Sequence, residues 1–439
     1  MGATRRFRGI VAVGLLLTIV STATAKYSGG KGEPNDPYQI ATAADLIALG
    51  ETPADYDKHF LLTADIDLDP NLPGRKVFDR AVIAPDTDPV TSDFQGTGFS
   101  GVFDGHGHTI SHLTIKGADC LGLFGLLDWA WPDAVGEVRS LGVVDVNIIG
   151  SSCVGGLAGA NGYCTVTGCY VTGTVSGNDD VGGLVGSNLG TVTQCHSTAA
   201  VKGRSWVGGL AGFNGLNISE SHSTGAVSGY GFVGGLVGSN EEASYIAHCY
   251  STGVVSGTDY VGGLVGLNCG HVSQCYSTGT VRGKRYVGGL VGLNGQDGGP
   301  GQTEAGWISN CYSGGEVSGE SAVGGLLGDN QTGEVVFCYS TGLVTGKSDV
   351  GGLVGTCRKG WFSPPVVTGS FWDTQTSGQT VSAGAIAKTT AEMKKASTYF
   401  GWGGAGTKGS GLSMREMTTP TWLGKVSPVV QLPLRSCQT

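Results

Sequence analysis

Charge is scarce in this chain. Asp, Glu, Lys and Arg supply 14% of its 439 residues, against the ~25% usual in soluble proteins. The net charge is −9, so nothing recruits nucleic acid through bulk charge. Proline is sparse, at 14 residues, while hydrophobic residues reach 40%; that balance excludes a disordered chain. No C-x2-C pair, His/Cys cluster, phosphate-binding glycine loop or G-x-S-x-G elbow stands out, so no metal or cofactor is implied. Past the N-terminal segment no run approaches 18 apolar residues, so the mature chain is expected to have no membrane-spanning helix. Glycine is what abounds, with 80 residues. They do not fall at every third position, which excludes collagen. A backbone that turns often and tightly remains.

The N-terminus reads as a secretory signal. Arg5, Arg6 and Arg8 form a basic region, Ile10 to Val20 an apolar one, and Ala23-Thr24-Ala25 a small-x-small cleavage site. Cleavage after Ala25 would take the net charge from −9 to −12 by removing those three arginines. The expected product is exported, to the extracellular space or the cell surface.

Repeats decide the fold expectation. VGG begins at Val154, Val181, Val207, Val233, Val261, Val287, Val323 and Val350, with spacings of 27, 26, 26, 28, 26, 36 and 27. Each period holds three short β-type runs, such as VGGLVGSN, GTVTQCHST and GTVSG, separated by Gly, Asn and Ser. Helical repeats fit badly, because a helix interior loses about 1 kcal/mol per Gly. A propeller blade needs ~40 residues or more. Three strands in one period match one lap of a parallel β-solenoid, with laps ~4.8 Å apart. Glycines would then serve φ > 0 corners and close approach between laps.

Equivalent positions form columns. Leu157, Leu184, Leu210, Leu236, Leu264, Leu290, Leu326 and Leu353 make one apolar ladder. Val175, Val201, Val227, Val255, Val281, Val317 and Val344 make a second, and Ile218, Ile246, Val272, Ile308 and Val335 a third. Three ladders suit a three-sided core. Asn161, Asn188, Asn214, Asn240, Asn268, Asn294 and Asn330 form a turn ladder, expected to bond backbone and one another and to tolerate left-handed backbone. Thr42-x-x-Asp45 before ADLIAL, closed by Gly50, and Thr389-x-x-Glu392 before AEMKKA read as capped helices covering the exposed ends.

The repeated G-G-L-V-G core resembles the GLUG motif, over roughly Leu121 to Phe371. DPYQIATAADLIALG, HFLLTADIDL and FSGVFDGHGHTISHLTI resemble segments that precede such repeats, and FWDTQTSGQT a segment that follows them. The resemblance implies a right-handed β-helix and export, and no activity. Some immunoglobulin A peptidases carry such repeats in a non-catalytic part. Their H-E-x-x-H signature is missing here, so protease chemistry is not carried over. The expected organisation is a signal peptide at 1–25, an N-terminal cap and first coils at 26–116, the repeat β-helix at 117–372, and a C-terminal cap with an irregular tail at 373–439. The fold class is all-β, a three-sided parallel β-helix with short helical caps.

Six of the 12 cysteines recur at one repeat position: Cys169, Cys195, Cys249, Cys275, Cys311 and Cys338, with Ser221 filling the gap. A free, buried ladder is the favoured reading over disulfides between adjacent laps. Cys120 and Cys153 each precede a G-L-[FA]-G segment and form the first candidate disulfide, while Cys357 falls where the Asn ladder would continue.

No catalytic residue is assigned. Asp65, Asp67 and Asp69 alternate on one strand face and could offer oxygens to Ca2+, but a solvated face is the favoured reading. Asp104, His106 and His108 read as a turn entering a strand. His59, His112, His248 and His271 look dispersed. Two aromatic stripes are the candidate ligand-binding residues. Tyr250, Tyr276, Tyr312 and Tyr339 share a slot with Tyr170, His196 and His222, while Trp206, Phe232, Tyr260 and Tyr286 immediately precede successive VGG runs. They could stack on sugar rings or pack on a partner, or simply stabilise the sheet. Gln296 to Ala305 lengthens one lap and should leave the stack as a loop. The expected role is a non-catalytic scaffold binding a glycan or a surface protein. A polysaccharide lyase or hydrolase on one β-helix face is the alternative.

Overall fold

A computed structural model describes residues 26–88, 94–128, 136–297, 303–358 and 364–402. The segment before residue 26, expected to be a signal peptide, and most of the expected C-terminal tail, from 403 on, lie outside the described residues. The chain is a parallel β-helix. Val154, Val181, Val207, Val233, Val261, Val287, Val323 and Val350 sit directly over one another in register. One lap therefore equals one sequence repeat. A typical lap comprises strands Ser205–Gly208, Ala211–Asn214, Asn217–Ser219, His222–Ser223 and Val227–Ser228. The VGGLVGSN run, expected as one strand, is two, parted at its Gly-Leu pair.

Each strand column continues through the molecule as a sheet. One of them has twelve strands, from Tyr38–Ile40 to Val366–Thr368. A nine-stranded sheet runs from Phe124–Leu127 to Val354–Cys357, and an eight-stranded one from Ser152–Val154 to Ser348–Gly351. All three apolar ladders point inward and are buried. The first laps fill the same interior with aromatic bulk: Phe60, Phe99, Phe103 and Phe124 touch in a chain of ring contacts.

The corners differ from expectation. Residues just before VGG adopt φ near +53°, and they are not glycine: Cys153, Asp180, Trp206, Phe232, Tyr260, Tyr286, Ala322 and Asp349. A second left-handed corner uses Ser140, Gln194, Glu220, His248, Gln274, Asn310 and Phe337, with glycine at 168 and 369. This corner explains how the Ile/Val ladder and the Cys ladder, three residues apart, both face inward. The VGG glycines are needed for space instead. A Cβ on Gly182, Gly208, Gly234, Gly262, Gly288, Gly324 or Gly351 would lie 1.8 to 2.0 Å from a carbonyl oxygen. Left-handed backbone costs a side-chain-bearing residue about 1–2 kcal/mol, whereas that overlap has no relief short of moving the strand.

Both ends are closed. Helix Ala43–Gly50 is capped by the Thr42/Asp45 box and buries Ala43, Leu46 and Leu49 against the first lap. Gly50 is the last helical residue, and the C-cap is Glu51. Gly50 is small because a Cβ would meet the Val82 carbonyl at 1.9 Å. At the other end helix Thr390–Met393 carries the Thr389/Glu392 box. Met393 and Tyr399 bury against Tyr339 and Phe371. Among the described residues no helix is long and apolar enough to cross a membrane.

Candidate functional site

The first aromatic stripe is a continuous stack. Tyr170, His196, His222, Tyr250, Tyr276, Tyr312 and Tyr339 are in register, with ring centroids 4.5 to 5.1 Å apart and planes within 6° of parallel. Strand alternation sets this. Cys195 points in and is buried, so His196 points out and is half-buried. The second stripe, Trp206, Phe232, Tyr260 and Tyr286, stacks at 4.7 to 6.0 Å. It leans on an outward cluster of Leu267, Cys269 and Leu293, against which Phe232 and Tyr260 pack. Its last ring is closed by the Arg358 guanidinium, 4.8 Å from the Tyr286 centroid. Arg358 also pairs with the buried carboxylate of Asp329.

Sequence reasoning missed a third stack. Tyr245, His271 and Trp307 lie 4.6 Å apart with near-parallel planes. His271 is thus a stack member rather than a dispersed residue. The signal was available: each directly precedes an inward Ile or Val and must therefore face outward.

This geometry changes what the stripes can do. The rings stand one above another along the axis, so each interior ring has both faces covered by its neighbours. A sugar cannot lie on those faces. Edges and Tyr hydroxyls are what the stacks present, at the spacing of one lap. Burial holds the imidazoles of His196, His222 and His271 below the ordinary histidine range, with His196 adding to the effect at His222. Burial pushes the phenols of Tyr250, Tyr260 and Tyr276 up.

The Asn ladder is made as expected, except that its residues do not use left-handed backbone. Each buried Nδ2 donates to the Oδ1 of the next Asn at 2.8 to 3.0 Å, from Asn161 to Asn330. Cys357 takes the following place in register. The six repeat cysteines are free and buried. Their thiols donate to the carbonyl two residues earlier, as Cys275 Sγ does to Ser273 O at 3.1 Å. Ser221 does the same to Ser219 O at 2.7 Å, which is why serine fits the gap. Burial pushes the thiols of Cys249, Cys275 and Cys311 well up, so they are poor nucleophiles.

A buried serine column also escaped sequence reasoning. Ser197, Ser223, Ser251, Ser277, Ser313 and Ser340 are wholly inaccessible. The hydroxyls of Ser223, Ser251, Ser277 and Ser313 have no hydrogen-bond partner among the described residues. They pack against the second VGG glycine, where a Cβ would meet them at about 2 Å, as at Gly209 and Ser223 (2.1 Å).

Cys120 and Cys153 are neighbours on adjacent laps, as the bond from Leu121 N–H to Cys153 O at 3.0 Å places them. Here they stand as free thiols, half-buried and in contact, and that contact draws the Cys120 thiol down. The Asp65, Asp67 and Asp69 carboxylates are occupied with turns and imidazoles. Asp65 accepts from Thr109 N–H at 2.8 Å, Asp67 accepts from Asp69 N–H at 2.9 Å and meets His112 Nδ1 at 2.9 Å, and Asp69 accepts from Asn71. Asp104 accepts from His106 N–H at 2.8 Å and from Arg139 at 2.9 Å. Among the described residues no three His, Cys, Asp or Glu side chains are gathered to hold a metal ion. The insertion leaves the stack as an antiparallel ribbon, Gln296–Asp297 against Thr303–Glu304; its tip, 298–302, lies outside the described residues.

Two segments, residues 150–176 and 257–282, match the GLUG motif. A stretch of 171 residues is 37% identical to halomucin of Haloquadratum walsbyi, covering 37% of this chain but only 2% of that protein's length. A solved structure of a candidate immunoglobulin A1 protease from Bacteroides ovatus is similar at 18% identity and a TM-score of 0.43, covering 84% of this chain and 89% of that one. Similarity at that level bears on no activity.

Proposed function

We propose that this GLUG-motif repeat protein is an exported, non-catalytic scaffold whose outer surface binds a glycan or a surface protein. One observation carries the reading: ring edges and hydroxyls repeat outward, lap after lap, in three stacked columns. Stacked neighbours fix those rings, so a partner meets them with little further loss of side-chain freedom. A partner would hydrogen-bond Tyr250 and Tyr276 along the first column, and meet ring edges or the outer face of Trp206 on the second. The similarity to halomucin supports a surface or extracellular setting. A glycan array and a pull-down with the mature protein test the proposal. Binding that weakens in a Tyr250→Phe/Tyr276→Phe variant is expected; silence in both assays would end it.

The alternative is a polysaccharide lyase or hydrolase. It would use acidic residues on one β-helix face, such as the Asp65, Asp67, His108 and His112 patch, where His108 Nδ1 meets Asp65 at 3.3 Å. Release of unsaturated or reducing ends from acidic or neutral polysaccharides would favour it.

A further inference from the structure

Between Ser151 and Val350 the chain has only six Lys and Arg side chains: Lys202, Arg204, Arg282, Lys284, Arg285 and Lys347. The fold brings all six to one corner. Lys202 and Arg282 share a column in register, Lys202–Ser228–Ser256–Arg282. Arg204 and Lys284 share the adjoining one, where the backbone runs Arg204–Tyr230–Thr258–Lys284 through hydrogen bonds of 2.8 to 3.0 Å. All six are exposed. Arg285 is paired with Asp259 and Lys347 with Glu320. Lys202, Arg204, Arg282 and Lys284 form no ion pair among the described residues, although, beside the bond from Lys347, the charge of Lys284 also helps hold the Glu320 carboxyl on the next lap below its usual range. Two unpaired cationic pairs thus stand three laps apart, about 14 Å at the spacing of β-strands.

Tyr230 lies between them. It is 58% exposed and belongs to none of the ring stacks, so its faces are open, unlike those of the ladder tyrosines. With Lys202, Gly203, Arg204, Ser228 and Gly229 it lines a concavity of about 310 Å³. We propose that this corner binds a linear acidic polysaccharide lying along the solenoid axis, with a sugar ring packed on Tyr230 and carboxylates on the flanking Lys/Arg pairs. The charge spacing favours such a polymer. Duplex DNA presents a charge every ~1.7 Å, far denser than two pairs ~14 Å apart. An open aromatic face between cations suits a sugar ring flanked by acid groups. The site is separate from the stacked columns and does not depend on them.

The test is binding of the full chain to sodium polygalacturonate, with dextran, duplex DNA and phosphatidylglycerol vesicles alongside. Polygalacturonate should bind, dextran should not, and added salt should weaken binding. Lys202→Gln/Arg204→Gln should weaken it about tenfold or more. Tyr230→Ala should weaken it at an unchanged salt dependence, since it removes no charge. Equal binding to dextran, an unaffected double variant, or tighter binding to DNA or vesicles would each overturn the assignment. If polygalacturonate fails while array binding sensitive to the Tyr250/Tyr276 variant persists, only this corner site is lost.

Discussion

Replacing Asn240 tests whether the asparagine ladder acts as a chain of bonds or merely as seven similar turns. Its Oδ1 accepts from Asn214 Nδ2 and from Ser244 Oγ, each at 2.8 Å, and its Nδ2 donates to Asn268 Oδ1 at 2.8 Å. The side chain is wholly buried. Asn240→Ala removes these bonds and leaves groups of both neighbours short of a partner. At about 1–3 kcal/mol for each buried group left unsatisfied, the loss should be roughly 2–5 kcal/mol. Asn330 receives only the bond from Asn294 along the ladder, and the next position is Cys357. Asn330→Ala should therefore cost clearly less. Asn240→Asp sharpens the test, because it places a carboxylate oxygen against the Asn268 oxygen. The new carboxyl should be raised above its unfolded value of ~3.9. Its penalty would then be full at neutral pH and relieved as pH falls through the folded pKa towards the unfolded one. Urea unfolding of each variant against wild type, at several pH values, measures this. Equal costs for Asn240→Ala and Asn330→Ala, or an Asp variant indifferent to pH, would refute the chain of bonds.

Other consequences are as direct. Ser277→Ala deletes a buried hydroxyl without a partner, so it should leave stability unchanged or raise it by about 1 kcal/mol in the same unfolding assay. Ala322→Gly relieves a φ of 53° and should raise the melting temperature slightly, whereas Gly324→Ala, whose Cβ would lie 2.0 Å from Leu327 O, should disrupt the lap; the opposite order would contradict the corner assignment. Burial lowers the folded pKa of the adjacent His196 and His222, so the unfolded chain takes up protons first and stability should fall as pH drops below ~6.5. A His196→Tyr/His222→Tyr variant melted across that range should lose part of the dependence, and an unchanged profile would exclude these two rings as its source. Mild oxidation should join Cys120 to Cys153, seen as a linked peptide pair by mass spectrometry; modification of each thiol separately would argue against the pairing.

Much of this architecture was legible in the residues, because a solenoid turns sequence spacing directly into spatial neighbourhood. Leucines 26 residues apart become neighbours whatever the detailed turns, so the Leu, Val and Asn columns could be written before any coordinates. The Cys column was equally open, since Ser221 in its gap marks a small interior position. The serine column was hidden: Ser251 or Ser277 in a run such as CYST looks like ordinary strand polarity, and nothing local says that its hydroxyl is sealed against a glycine. The third aromatic stack was hidden by variety, since Tyr245, His271 and Trp307 share no residue type.

The amino-acid order alone determined the lap length, the inward ladders and the stacking of like on like, because register in a repeat needs only periodicity. It could not determine which way the rings turn or which residues bear the left-handed corners. Trp206 and Ala322 occupy the same corner with φ of 53°, although neither is a residue that marks such a turn. The glycines two places on have no room for a side chain. Nor could it gather Lys202 and Arg282 on one edge while aromatic faces close on each other. Those outcomes depend on contacts between laps, and a contact between laps exists only once the chain has closed each lap upon the last.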